Sequence, residues 1–90
     1  MGFMDIKIKL MPSSVETDLE EIKKVTGEII QKWDGNSIKF EEEPIAFGLK
    51  AINVMFILNE EKELEPLEKE LGEIENVNSE EIVYMRRALG

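Results

Sequence analysis

Carboxylates and two adjacent arginines are the side chains of this chain that could do chemistry, because its 90 residues include no cysteine and no histidine. Thiol nucleophiles, zinc or iron–sulfur sites and imidazole acid–base catalysis are therefore excluded or implausible. Glu41 and Glu43 share one face of a predicted strand, but nothing nearby would raise the pKa of either, as a general acid requires. Neither EF-hand spacing nor a glycine-rich phosphate loop is present. We expect no catalytic residue, no metal site and no cofactor.

Arg86 and Arg87 are the only arginines, and they follow Met85 at the end of a predicted strand. A guanidinium held out from that strand would suit a site that otherwise holds a metal ion or a phosphate. The alternative is structural: both side chains lie in solvent, or Arg86 balances the charge of a nearby acidic strand.

A nearly uncharged segment, EPIAFGLKAINVMFIL, occupies positions 43–58. Strands of a small soluble domain normally end in polar turns, because loop backbone needs water and loop side chains gain little by being apolar. Phe47 beside Gly48, at the edge of a sheet, therefore suggests a ring held out for a partner. The alternative is that Phe47 closes the core.

The net charge of −9, from 20 acidic and 11 basic residues, limits the classes of partner. Phosphate recognition depends on an excess of Lys and Arg, so direct binding to nucleic acid or to an anionic membrane is not expected. The charge suits a partner with a positive surface. The length indicates one domain over residues 1–90, and no secretion signal or apolar span long enough for a bilayer is found, which favours a cytoplasmic protein.

Apolar spacing predicts six elements in the order β-α-β-β-α-β. Period-two alternation indicates strands, and apolar residues three and four apart indicate helices. The strands are predicted over 4–10, 37–41, 50–58 and 80–87, and the helices over 18–33 and 64–74. This order is typical of the ferredoxin-like α+β sandwich, with four antiparallel strands and both helices on one face. Met55 and Ile57 should then make the open face of the sheet partly apolar.

Two other modules share this strand order. The RNA-recognition module needs aromatic side chains on the open sheet face, whereas the third strand supplies none, and the net charge is unfavourable. A regulatory module that binds a small ligand at its strand-edge loops and dimerises remains open as an alternative.

The central segment resembles the core of translation elongation factor one-beta, the guanine-nucleotide exchange factor for elongation factor one-alpha. Pro44, Phe47, Gly48 and Lys50 match the family pattern, and Ala46 replaces its first glycine. The likeness covers essentially the whole chain and corresponds to the family's compact archaeal form, although only the central stretch is specific.

Two further stretches are similar to this family. Residues 9–12 and 16–19 resemble the junction after its first strand, but Ser13, Ser14 and Val15 occupy the places of its usual tryptophan and acids. Near the end of the chain, Met85 matches the closing segment, and Arg87 falls at the family's penultimate lysine.

The resemblance implies an exchange factor that performs no covalent chemistry and is a monomer when free. It would bind the elongation GTPase (elongation factor one-alpha) and speed GDP release. The contact would be centred on Phe47 and the C-terminal residues. Phe47 would insert into an apolar pocket beside the nucleotide, and Arg87 would bring positive charge to the Mg²⁺ position. The expected GTPase-binding residues are Phe47, Gly48, Met85, Arg86 and Arg87.

Overall fold

Four strands form one antiparallel sheet in the computed structural model, which describes residues 2–88. In chain order the elements are β1 (Phe3–Pro12), α1 (Leu19–Lys32), β2 (Asn36–Pro44), a 3₁₀ turn (Ala46–Gly48), β3 (Lys50–Asn59), α2 (Glu65–Gly72) and β4 (Val77–Ala88). The strands lie in the order β2-β3-β1-β4. The predicted ferredoxin-like α+β fold is confirmed.

The core lies between the sheet and the two helices. Alternate residues of β1 and β3 face the helices, where they are withdrawn from water, and each buried aliphatic side chain contributes about 1.5–3 kcal/mol. The helices supply Ile22 and Ile30 from α1, and Leu67 and Leu71 from α2. Their buried partners on the strands are Ile6, Ile8, Leu10, Ile52, Val54, Phe56 and Leu58.

The strands extend further than the alternation predicts. β4 begins at Val77 and not at residue 80, because Val77 pairs with Pro12 at the end of β1. The Ser13 N–H donates to the Asn76 carbonyl at 2.9 Å, and Asn76 adopts a left-handed conformation (φ 71°) that turns the chain into the strand. These contacts join residues more than 60 positions apart, so local spacing does not predict them.

Among the described residues, no helix covers the opposite face of the sheet, which is the open face. The pairing of Met55 with Lys7 and of Ile57 with Asp5 places both apolar side chains on this open face, as predicted. Tyr84 pairs with Lys7 from the other side, so the open face has an aromatic ring that comes from β4 and not from β3. Within residues 2–88, no helix is long and apolar enough to cross a membrane.

Candidate functional site

The turn between β2 and β3 (Ala46–Gly48), called the aromatic turn below, presents the most exposed large apolar side chain of the described residues. Phe47 is 96% exposed. Its backbone is left-handed (φ 62°, ψ 31°), and that of Gly48 is left-handed as well (φ 80°). The Ile45 N–H donates to the Leu49 carbonyl at 2.7 Å, which closes the turn. The prediction that the ring lies outside the core is confirmed.

The conformation of Phe47 is unfavourable in itself. A left-handed backbone at a residue other than glycine costs roughly 1–3 kcal/mol and persists only where the surroundings impose it. Pairing of Pro44 with Lys50 and the closed turn impose it here. Since the exposed ring gains no burial in return, folding alone does not account for a phenylalanine at this position.

Met85, Arg86 and Arg87 lie at the end of β4, beside the start of β1. Met85 pairs with Ile6 and is half exposed. Arg86 pairs with Asp5, and its Nη2 lies 3.5 Å from the Asp5 carboxylate. The guanidinium also stacks 4.4 Å from the centre of the Tyr84 ring. The alternative that Arg86 balances an acidic residue of a neighbouring strand therefore has direct support.

Arg87 points away from Arg86, because successive residues of a strand face opposite sides of the sheet. It pairs with Met4, and its Nη2 lies 2.9 Å from Oε2 of Glu60, just after β3. Both arginine side chains are mostly exposed. Each side of the sheet therefore carries one of the two guanidinium groups.

The structure does not bring the aromatic turn and the arginines together. The turn adjoins Lys50 at the start of β3, whereas Arg87 pairs with Met4, which in turn pairs with Leu58. The eight steps along β3 from Lys50 to Leu58 span about 27 Å at about 3.4 Å per residue. The two groups therefore lie at opposite ends of the sheet, and a contact that includes both must span its length. Phe47 and Gly48 form one group, and Met85, Arg86 and Arg87 form a second at the far end.

A known family matches a stretch of this chain that includes both groups of candidate residues. A family model described as the EF-1 guanine nucleotide exchange domain matches residues 5–88. The chain belongs to this family. It is 42% identical over 91 residues to elongation factor 1-beta of Methanothermobacter thermautotrophicus, a match that covers 99% of this chain and 100% of the relative.

Two other relatives have the same extent. Elongation factor 1-beta of Methanococcus maripaludis (strain C6) is 39% identical, over 94% of this chain and 97% of the relative. That of Methanocaldococcus jannaschii is 41% identical, over 91% of this chain and 93% of the relative. The likeness expected from the segment around Phe47 is confirmed, and elongation-factor nucleotide exchange is the role of this family.

Several charged groups of the exchange domain form surface ion pairs. Hydrogen bonding to Lys23 lowers the pKa of Glu42, and the amide of Asn53 lowers the pKa of Glu43. These carboxylates stay ionised, as the sequence predicts for an acidic strand. Among residues 2–88, no cluster of three or more acidic, histidine or cysteine side chains could hold a metal ion.

Glu80 differs from the other carboxylates, and no pattern in the sequence indicates this difference. It pairs with Leu10 on the helix side of the sheet, against the end of α2. Burial raises its pKa to about 7, and the nearby Glu68 carboxylate adds to this rise. Glu80 lies on β4 and shares a surface pocket with Ile45, which lies between β2 and the aromatic turn.

Proposed function

We propose that this chain is a guanine-nucleotide exchange factor for elongation factor 1-alpha and that it contacts this GTPase with both ends of its sheet. Family membership supports the exchange role. The observation that carries the contact is the fully exposed ring of Phe47, held out by a backbone conformation that brings no benefit within the chain. GDP release would let GTP rebind, so that delivery of aminoacyl-tRNA can continue.

Such a protein acts by differential binding and not by covalent chemistry. It must bind the nucleotide-free GTPase more tightly than the loaded one, and the coupling is reciprocal. Weakening GDP binding about ten-thousandfold needs roughly 5.5 kcal/mol of differential interaction. Contacts that are equal in the two states strengthen the complex but leave GDP release unchanged.

The two ends of the sheet would have different tasks in the complex. Because the two groups are about 27 Å apart, we expect only one of them to lie at the nucleotide. We place Arg87 there, since a positive charge near the Mg²⁺ position competes with the ion for phosphate and carboxylate oxygens. Its pair with Glu60 is a surface ion pair worth about 0–1 kcal/mol, so Arg87 can exchange this partner at little cost.

The aromatic turn would bind a different part of the same GTPase. Phe47 would fill an apolar recess as a buried anchor, and Gly48 would let the two backbones approach closely. At the other end, Met85 would pack beside Arg87, and Arg86 would border the contact from the open face of the sheet.

Release of labelled GDP from the purified GTPase tests this proposal. Arg87→Ala should lower the maximal rate of release, and Phe47→Ala should raise the exchange-factor concentration that gives half of that rate. Lys24→Ala removes a positive charge from the exposed surface of α1 and is the matched control, for which wild-type behaviour is expected. Release no faster than the spontaneous rate with the wild-type chain would refute the function.

We further expect the free chain to be a cytoplasmic monomer that binds no nucleic acid directly. The alternative, a dimeric module that binds a small ligand, predicts a stable dimer whose melting temperature rises with a metabolite while GDP release is unaffected. Sedimentation of the free chain, together with the release assay, separates these two cases.

A further inference from the structure

A second exposed hydrophobic side chain lies beside the aromatic turn. Val15, in the loop between β1 and α1, is 60% exposed. Its Cγ1 lies 3.7 Å from the position that a Cβ on Gly48 would occupy. Residues of both loops also line a crevice of about 180 Å³, with Leu19 among its walls. Two loops that are distant in sequence therefore present apolar side chains at the same end of the sheet.

Hydrogen bonds order the loop that carries Val15. The Ser14 N–H donates to Oγ1 of Thr17 at 3.2 Å, and the Glu16 N–H donates to Oγ of Ser14 at 3.2 Å. A third bond joins the Thr17 N–H to the Ser14 carbonyl at 3.3 Å. Because both loops are ordered before binding, little conformational entropy would be lost when a partner covers them.

The tips of these two loops carry no charge in a strongly acidic chain. Residues 13–15 and 44–49 include no charged side chain, whereas the chain as a whole has 34% charged residues and a net charge of −9. Charged residues border the tips: Glu16 follows Val15, and Lys50 lines the crevice. Interface cores are depleted of charged residues, because burying an unpaired charge costs free energy. An apolar recess on a protein partner with a charged rim therefore fits this surface, with Val15 and Phe47 at the centre of the contact.

We propose that Val15 and Phe47 form one docking tip that enters a single apolar recess of the elongation GTPase. This inference rests on the proposed function and adds the β1–α1 loop to the contact. Since the tip lies at the opposite end of the sheet from Arg87, it binds the loaded and the nucleotide-free GTPase alike. The tip therefore sets the affinity of the complex and not the maximal rate of GDP release.

A double-mutant cycle in the GDP-release assay, with the full chain, tests the shared recess. Val15→Ser should raise the half-saturating concentration about fivefold, and Phe47→Ala about thirtyfold, with unchanged maximal rates. The double variant should stay near thirtyfold, well below the product of the two single effects, because Val15 loses its recess once the ring is removed. Val83→Ser is the matched control, since Val83 is 46% exposed on β4, away from the tip; it should behave like the wild type.

The possible outcomes separate this inference from the proposed function. If Phe47→Ala weakens the complex while Val15→Ser has no effect, or if the two effects simply multiply, the shared recess is refuted and the exchange function stands. If the wild-type chain does not accelerate release, both fail. Thermal melts of each variant check folding. Because the side chains of Val15 and Phe47 are exposed, we expect unchanged melting midpoints.

Discussion

Replacing Glu80 by glutamine should stabilise the domain at alkaline pH and have little effect at acidic pH. The carboxyl is held between β4 and the end of α2, where the Glu80 Cγ lies 3.2 Å from the position of a Cβ on Gly72. Its Oε2 is buried and has no hydrogen-bond partner among the described residues. Burial and the charge of Glu68 favour the protonated form of Glu80.

The sign and size of the effect follow from the pKa of Glu80. Its pKa is about 7 in the folded protein, above the ordinary value of 4.5, so folding favours the protonated form. Below pH 4.5 the group is protonated in both states and costs nothing. Between pH 4.5 and 7 it ionises in the unfolded chain first, and the stability of the wild type falls as the pH rises.

The difference between these pKa values corresponds to at most about 3.5 kcal/mol, at roughly 1.4 kcal/mol per pKa unit. Since the carboxyl is only partly buried, water screens part of this energy, and we expect about 1–2 kcal/mol at pH 8. For a domain of this size such a gain raises the melting temperature by roughly 5–10 °C.

Urea unfolding of wild type and Glu80→Gln at pH 5 and pH 8 measures the effect. The gain in unfolding free energy should be small at pH 5 and should reach its full value at pH 8. The control is Glu81→Gln, which neutralises the exposed neighbouring residue on the open face of the sheet and should produce a much smaller pH-dependent gain. Equal gains for Glu80→Gln at the two pH values, or no gain at pH 8, would refute the reasoning.

Four further variants test packing. Phe47→Ala should change the unfolding free energy by less than about 0.5 kcal/mol in urea, because the ring is fully exposed, and a larger loss would show that it packs on the domain. Gly27→Ala should stabilise α1 by about 0.5–1 kcal/mol, because nothing lies within 4 Å of the added Cβ. Gly35→Ala should destabilise the domain by about 1–3 kcal/mol, because its Cβ would overlap Ile30. Equal melting temperatures for these two variants would contradict this reasoning. Thr26→Val should stabilise by about 1 kcal/mol in urea, because Oγ1 is buried with no partner among the described residues, and a loss would indicate that the hydroxyl is hydrogen-bonded.

The fold could be predicted because its signals are local. Alternation of Ile6, Ile8 and Leu10 with charged residues defines the buried face of β1 without reference to any other element. The N-cap of α1 is equally local: Asp18 accepts hydrogen bonds from the second and third residues of the helix, at 3.0 and 3.3 Å. The start of β4 at Val77 could not be predicted in this way, because only its long-range partner Pro12 makes it a strand.

The candidate site also combines features that the sequence predicts with features that depend on long-range packing. Exposure of Phe47 was predictable from an uncharged turn in a charged chain. Its distance from Arg87 was also available from the strand order: β3 begins at the turn, β4 ends where β1 begins, and β1 runs antiparallel to β3. By contrast, Val15 beside Gly48 and Glu80 against α2 depend on how a loop and a helix pack on the sheet, and no sequence pattern reports either contact.

The opposite directions of Arg86 and Arg87 restrict what the end of β4 can do. Arg86 has two partners within the domain, the carboxylate of Asp5 and the ring of Tyr84, so moving it to a new anion would break both contacts. Arg87 has one partner among the described residues, Glu60, in a mostly exposed pair that contributes little to stability. The two arginines therefore do not act as one positive patch. In the proposed complex, Arg87 is the residue that can leave its partner for the oxygens around a metal ion, while Arg86 holds the strand end in place.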